Sequence, residues 1–177
     1  MAFTGQFSPY VVHAGAGWVA PVSFVCSFSD DVYAVFAAAQ AVSSLTSKEF
    51  RIRGSGTLIQ TVEIGIEAYD TLNVAPDVFR MRESWDAGVN WGAWHNITRV
   101  TPADTNVTEW FDVTAEPPAG WTWALLAGAL PWSNLIIEVE ADTTSAAAGS
   151  IFVDLIDVRV SATPTAGASA SAGDVLI

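Results

Sequence analysis

The sequence contains few of the residue types on which most catalytic and metal sites depend. It has one cysteine, Cys26, and two histidines, His13 and His95. A single cysteine excludes a disulfide within the chain and a thiolate metal cluster built by one chain. Aromatic and apolar residues flank Cys26, so we expect a buried, unreactive thiol. No Gly-x-Ser-x-Gly segment is present and neither histidine lies in a recognisable catalytic setting, so we predict a protein that is not an enzyme and needs no cofactor.

Basic residues and long apolar runs are scarce as well. Seven Lys and Arg stand against nineteen Asp and Glu, which gives a net charge of −12. A phosphate backbone would repel this charge, so we expect no nucleic-acid partner. Apolar runs such as 32–39 and 151–156 are too short for the roughly 30 Å of a bilayer core, so we expect no membrane insertion. The first residues lack the pattern of a secretory signal, which predicts a protein that stays in the producing cell or leaves it within a virus particle.

Alternation of apolar and polar residues predicts strands. It is clearest in 62–68, 78–85 and 135–142, each with one apolar and one polar face. We predict further strands at 22–28, 50–52, 91–100, 109–113 and 151–160, and the phase of the last slips near Asp154, which indicates a β-bulge. Residues 32–42 allow a helix or a strand, and we favour a strand; 121–129 is the other helical candidate.

These short strands, separated by turn residues and without βα alternation, predict an all-β fold: an antiparallel β-sandwich or jelly roll with extended N- and C-terminal arms. We assign residues 1–21 to an N-terminal arm or irregular first strand, 22–161 to the sandwich and 162–177 to a flexible tail. The tail ends in Val175, Leu176 and Ile177. This apolar tip is either an arm that adds a strand to a neighbour's sheet edge or the end of a disordered tail.

Carboxylates are the main candidates for polar chemistry. Glu63, Glu67, Glu138 and Glu140 lie in pairs on single strand faces, and we expect solvated outer faces rather than a glycosidase pair. Four aspartates near predicted strand ends, Asp30, Asp31, Asp154 and Asp157, are possible oxygen ligands for a hard cation, although no spaced loop motif supports this and solvated turns are the expectation. Two glycosylation sequons begin at Asn96 and Asn106.

Tryptophan is unusually abundant, with eight residues in the chain. We expect most of them to fill the sandwich core. Trp85, Trp91 and Trp94 fall in one predicted loop region and are the candidates for exposed contacts. Indole rings anchor protein interfaces and can stack on sugar rings.

The order of several segments resembles a β-sandwich domain of bacteriophage structural proteins and related prokaryotic surface proteins. The segments that carry it are Asp30-Asp31-x-Tyr33-Ala34, the turn at Ser43-Ser44, Phe50, the strand 59–68 and the closing strand 153–160. The middle of the chain departs from that pattern. The resemblance implies a virion structural protein, a capsid-decoration, tail or fibre subunit assembled in the host cytoplasm. Its partners would be further copies of the chain and other virion proteins. The alternative hypothesis is a carbohydrate-binding module that uses exposed tryptophans on glycans.

Overall fold

The computed structural model describes residues 3–9, 11–19, 33–52, 57–70, 77–98, 107–128, 133–145 and 149–164. Several sequence predictions lie outside these ranges: the strand at 22–28, Cys26, Asp30, Asp31, Asn106, and the tip Val175, Leu176 and Ile177. Within the described ranges no helix is both long and apolar enough to cross a bilayer.

The described residues form eleven strands and one short helix. In chain order they are β1 (Phe3–Phe7), β2 (Val11–Ala14), β3 (Trp18–Val19), β4 (Ala34–Phe36), β5 (Ser43–Lys48), β6 (Thr57–Asp70), β7 (Val78–Ser84), β8 (His95–Asn96), β9 (Glu109–Asp112), α1 (Trp123–Ala127), β10 (Ile136–Asp142) and β11 (Ile151–Pro164).

Two antiparallel sheets make up the fold. The six-stranded sheet has the order β3-β4-β11-β6-β9, and β1 also pairs with β11. The five-stranded sheet has the order β2-β5-β10-β7-β8. The inward faces of both sheets are buried and mostly apolar, with Ile64, Val158, Met81 and Val139 among the central residues. The predicted all-β sandwich is therefore confirmed, and a bacteriophage origin stays a prediction.

The inward faces of β6 and β10 follow the predicted alternation. In β6 the side chains of Val62, Ile64 and Ile66 are buried, and in β10 Ile137 and Val139 are buried. The register between β6 and β11 shifts between Val153 and Leu155, which is the bulge that the phase slip near Asp154 predicts.

Other segments differ from the prediction. Of the described residues 91–98 only His95–Asn96 form a strand, because residues 85–94 form a loop held by its own hydrogen bonds. Phe50 and Ile52 are buried but lie in no strand. In the segment 32–42 the favoured strand is present but short: it covers Ala34–Phe36, and the other described residues of the segment lie in neither strand nor helix. In the helical candidate at 121–129, the described residues 121–128 contain only the one-turn helix α1, whose first turn is capped by Thr122.

Three strands come from the first nineteen residues. β1 pairs along the second half of β11, β2 forms one edge of the five-stranded sheet, and β3 pairs with β4. The Asp157 side chain accepts hydrogen bonds from Gln6 and Ser8, and these side-chain bonds add to the backbone pairing that holds β1 against β11. At the other end of the chain, β11 continues to Pro164.

Candidate functional site: the outer face of the five-stranded sheet

The described tryptophans divide into core and surface groups. Trp18 and Trp121 are buried, and Trp85 and Trp123 pack partly buried against the core. Trp91 and Trp94 are partly exposed in the loop after β7, and Trp110 is partly exposed on β9. Trp132 lies outside the described residues. Of the three loop candidates, the structure therefore places Trp91 and Trp94 together on one surface and turns Trp85 toward the core.

Arg80 and Arg82 organise that surface. They are alternate residues of β7, so both point outward from the five-stranded sheet, about 7 Å apart along the strand. Their guanidinium carbons each lie 4.3 Å from the centre of the Trp94 ring. The Arg82 carbon also lies 4.4 Å from the Trp91 ring. The four side chains form a layered series in the order Arg80, Trp94, Arg82, Trp91, which we call the Arg–Trp stack.

Each arginine of the stack also pairs with a glutamate directly opposite on β10. Arg80 lies opposite Glu140 and Arg82 opposite Glu138. The Arg80 Nε donates to Glu140 Oε1 at 2.8 Å, and the Arg82 Nε donates to Glu138 Oε2 at 2.7 Å. Ser44 on β5 donates to the other oxygen of Glu138 at 2.6 Å. These bonds fix the planes of the guanidinium groups and leave the surface close to neutral.

The loop of residues 85–94 carries both tryptophans and is held by its own polar groups. Asp86 accepts hydrogen bonds from the backbone and side-chain nitrogens of Asn90, at 2.7 and 2.6 Å, and these lower the pKa of Asp86. The Trp91 indole donates to the Gly88 carbonyl at 3.1 Å. Ala87 and Gly88 both have positive φ, which turns the chain sharply back toward the sheet. The indoles are thus preorganised before any ligand arrives.

Glu83, next to Arg82 in sequence, points the opposite way. It shares the inward phase of Met81 on β7 and is 0% exposed. Neither of its carboxylate oxygens has a hydrogen-bond partner among the described residues. Burial, and secondarily the charge of Glu116, raises the pKa of Glu83 to about 7.

Gly92 covers this carboxylate from the loop. Its backbone nitrogen donates to the Glu83 carbonyl at 2.8 Å. A Cβ atom at position 92 would lie 2.8 Å from the Glu83 carboxyl carbon, so only glycine fits there without displacing the side chain. Glu116 contacts both the loop and β8. It accepts a hydrogen bond from the Ala93 backbone nitrogen at 3.0 Å and lies 3.4 Å from His95 Nε2.

The other predicted carboxylate sites have structural partners. Glu63 receives two hydrogen bonds from Arg159, each 2.8 Å, and Arg159 lies 4.1 Å from the Trp110 ring on the outer face of the six-stranded sheet. The expectation that Glu67 is solvated was wrong: it is 4% exposed, and Leu155, its partner across the sheet, is 6% exposed, so the middle of that outer face is covered.

Asp154 and Asp157 do not lie at strand ends. Both are in the interior of β11 and are buried. Burial raises the pKa of Asp157, against the hydrogen bonds from Ser8 and Gln6, which lower it. In the parts of the chain that are described, no group of three or more His, Cys, Asp or Glu residues is arranged to hold a metal ion.

Arg80, Arg82 and Glu83 were not among the site residues predicted from the sequence. The pattern that could have identified them is the alternation of inward and outward residues along β7. The two arginines alternate onto the polar face, whereas Glu83 follows Phe79 and Met81 on the apolar face, where a carboxylate is unusual.

Comparison with known proteins shows a distant likeness to a solved structure. No protein-family model matches the chain, and no curated protein matches it. Among solved structures, a chitosan-binding module derived from a chitosanase/glucanase of Paenibacillus sp. IK-5 aligns with 88% of this chain and 92% of its own, at 13% identity and a TM-score of 0.40. At that level of likeness the neighbour says nothing about what this chain binds.

Proposed function

We propose that the protein is a non-catalytic binding domain and that the Arg–Trp stack is its carbohydrate-binding surface. The observation that supports this most directly is the position of Trp91 at the open end of the stack. One face of its indole lies against Arg82, and no second ring or cation of the described chain stacks on it. A sugar ring would extend the layered series by one member, with its C–H face on the indole.

The polar groups around Trp91 suit hydroxyl-rich ligands. Asp86 and Asn90 lie in the same loop, and the Arg82–Glu138 pair lies beneath it. Planar groups of this kind offer paired donors and acceptors, which a sugar's neighbouring hydroxyls match.

The charged side chains of this surface make it poorly suited to a protein interface from which water is excluded. The centre of a protein interface is depleted of charged residues, because their desolvation is costly. Here two ion pairs occupy the middle of the surface, and their side chains remain 16–34% exposed. A glycan leaves such groups partly hydrated, so it is the better-suited partner.

Trp94 has a different role in this proposal from Trp91. The guanidinium groups of Arg80 and Arg82 flank its ring, so its faces are not available to a ligand. Trp94 would act as a spacer that positions Arg82 and, through it, Trp91.

A glycan array tests the proposal. Labelled wild-type protein is expected to bind at least one class of oligosaccharide, and Trp91→Ala is expected to lose that binding by tenfold or more, a loss of about 1.4 kcal/mol. The matched control is Trp110→Ala, which removes an arginine-stacked tryptophan from the opposite sheet and should leave binding unchanged. Equal binding by wild type and Trp91→Ala would rule out this surface.

A subunit of a virus particle is the second candidate function, and one feature favours it. Among the described strands, β2 lies at one edge of the five-stranded sheet, and edge strands can pair with a neighbouring chain. Light scattering on the full chain and on a chain ending after Pro164, where β11 stops, tests it. An oligomer that dissociates on truncation would support a tail-mediated assembly, and a monomer in both cases would contradict it.

A further inference from the structure

The position of Glu83 is such that its ionisation would move part of the loop of residues 85–94. Its carboxylate is buried on the inward face, and the backbone of Gly92 packs directly against it. Gly92 lies between Trp91 and Trp94 in the sequence. Any movement that admits water to the Glu83 carboxylate on this side must displace the segment that holds the two indoles.

Among the described residues, the buried carboxylate has no counter-charge. The titratable groups that face it from neighbouring elements are Glu116, which follows β9, and His95 on β8; Ile137, its partner on β10, is apolar. Glu116 makes a negative charge at Glu83 less favourable still. The Arg82 guanidinium lies on the opposite face of β7 and is already paired with Glu138.

We propose that Glu83 is a pH-sensitive latch: protonated, it lets residues 91–94 close over it, and ionised, it drives that segment outward and disorders the Arg–Trp stack. The latch would regulate carbohydrate binding, so its biological role rests on the function proposed above. Its test does not, because the opening of residues 91–94 can be measured without a ligand.

Local opening is the expected response because an ionised, buried and unpartnered carboxylate is very unfavourable. Residues 91–94 are held to β7 by the hydrogen bond from Gly92 and by the contacts of the two indoles with Arg80 and Arg82, and to Glu116 by the bond from Ala93. The earlier part of the loop has its own bonds, from Asp86 and Gly88 to Ser84, and can stay in place. Breaking the contacts of residues 91–94 costs far less than unfolding the sandwich. The raised pKa of Glu83, about 7, places the transition near neutral pH.

Hydrogen exchange at the Gly92 and Ala93 amides tests the latch without any ligand. In the wild-type protein we expect their protection factors, corrected for the intrinsic effect of pH, to fall at least about tenfold between pH 5.5 and pH 8. In Glu83→Gln, which cannot ionise, the factors should stay constant within about twofold over the same range. Amides in the centre of β6 serve as the internal reference for global stability.

His95→Gln is the matched control, because histidine also changes charge near neutral pH. The variant should keep the wild-type pH response. If it abolished the response while Glu83→Gln kept it, His95 would be the sensor and the latch would be wrong. A wild-type protection factor that is flat with pH would also overturn it.

The two proposals fail in different ways. A pH-dependent Gly92 amide with no glycan bound at any pH would keep the latch and remove the carbohydrate proposal. Glycan binding with the same affinity at pH 5.5 and pH 8, together with a flat protection factor, would keep the carbohydrate proposal and remove the latch.

Discussion

At the scale of single residues, Arg82 connects most of the site. Its guanidinium group lies between Trp94 and Trp91 and pairs with Glu138. A planar guanidinium can stack on two rings and bind a carboxylate at once, whereas an ammonium is a point charge and cannot do both. The planar shape of the Arg82 side chain is therefore more important than its charge.

Arg82→Lys is thus expected to be almost as damaging as Arg82→Met. Each should lower the free energy of unfolding by about 1–2 kcal/mol, because the cation–π contacts and a partly exposed ion pair contribute roughly 0.5–1 kcal/mol each. Urea denaturation measures the difference. A lysine variant as stable as the wild type would mean that the stacking geometry contributes nothing.

At the scale of elements, the six-stranded sheet depends on Gly65 in β6. A Cβ atom there would lie 2.7 Å from Thr108 Cγ2 and 2.9 Å from the Trp110 ring, which crosses the strand and stacks on Arg159. Trp110 lies opposite Gly65 in the pairing of β6 with β9. The missing side chain is what lets the indole lie flat on the sheet.

Gly65→Ala should therefore destabilise the fold by about 1–3 kcal/mol through overpacking. A double-mutant cycle with Trp110→Ala tests the cause: in the Trp110→Ala background the cost of Gly65→Ala should shrink clearly. Additive costs in thermal or urea unfolding would show that the indole is not the obstacle.

The attachment of β1 is a second element that can be tested. Gln6 and Ser8 are the side chains that donate hydrogen bonds to the buried Asp157 carboxylate. Replacing both with alanine leaves this carboxylate unsatisfied on that side, which costs roughly 1–3 kcal/mol. We expect faster hydrogen exchange in β1 while β10 is unchanged, and equal rates in β1 would contradict this attachment.

The elements that could be predicted from sequence are those with a strict period. β6, β7 and β10 alternate in sequence because the inward face of each packs in the core, although the middle of the outer face of β6 is covered as well. The slip of phase at Asp154 is enough to predict the bulge in β11. The site could be predicted only in part. Trp91 and Trp94 were candidates from composition, but their contact with Arg80 and Arg82 depends on a loop that folds back over β7 through Ala87 and Gly88. Local sequence does not determine such a tertiary contact.

At the scale of the whole molecule, the buried carboxylates link stability to pH. The pKa of Glu83 rises from 4.5 to about 7 on folding, so the folded protein binds more protons than the unfolded chain between these values. Stability is therefore highest toward the lower end of this window and falls as pH rises to about 7. The raised pKa of Asp157 acts in the same direction.

We expect the free energy of unfolding to decrease by roughly 3 kcal/mol across this window on account of Glu83. Glu83→Gln should remove most of the slope, and Glu63→Gln, which alters an ion-paired carboxylate on the other sheet, should leave it. Urea denaturation at pH 4.5 to 8 measures all three proteins. Parallel curves for wild type and Glu83→Gln would contradict the assignment.

Carbohydrate is proposed to bind on the face of the Trp91 ring that does not lie against Arg82. The most direct test follows the indole N–H signals by NMR while the best glycan from the array is added at pH 5.5, where the loop is expected to be closed. Assignment by single Trp→Phe variants identifies each signal. We expect the Trp91 signal to move most, the Trp94 signal to move weakly and the Trp110 signal not to move. Movement at Trp110 without movement at Trp91, or no movement at millimolar glycan, would contradict it.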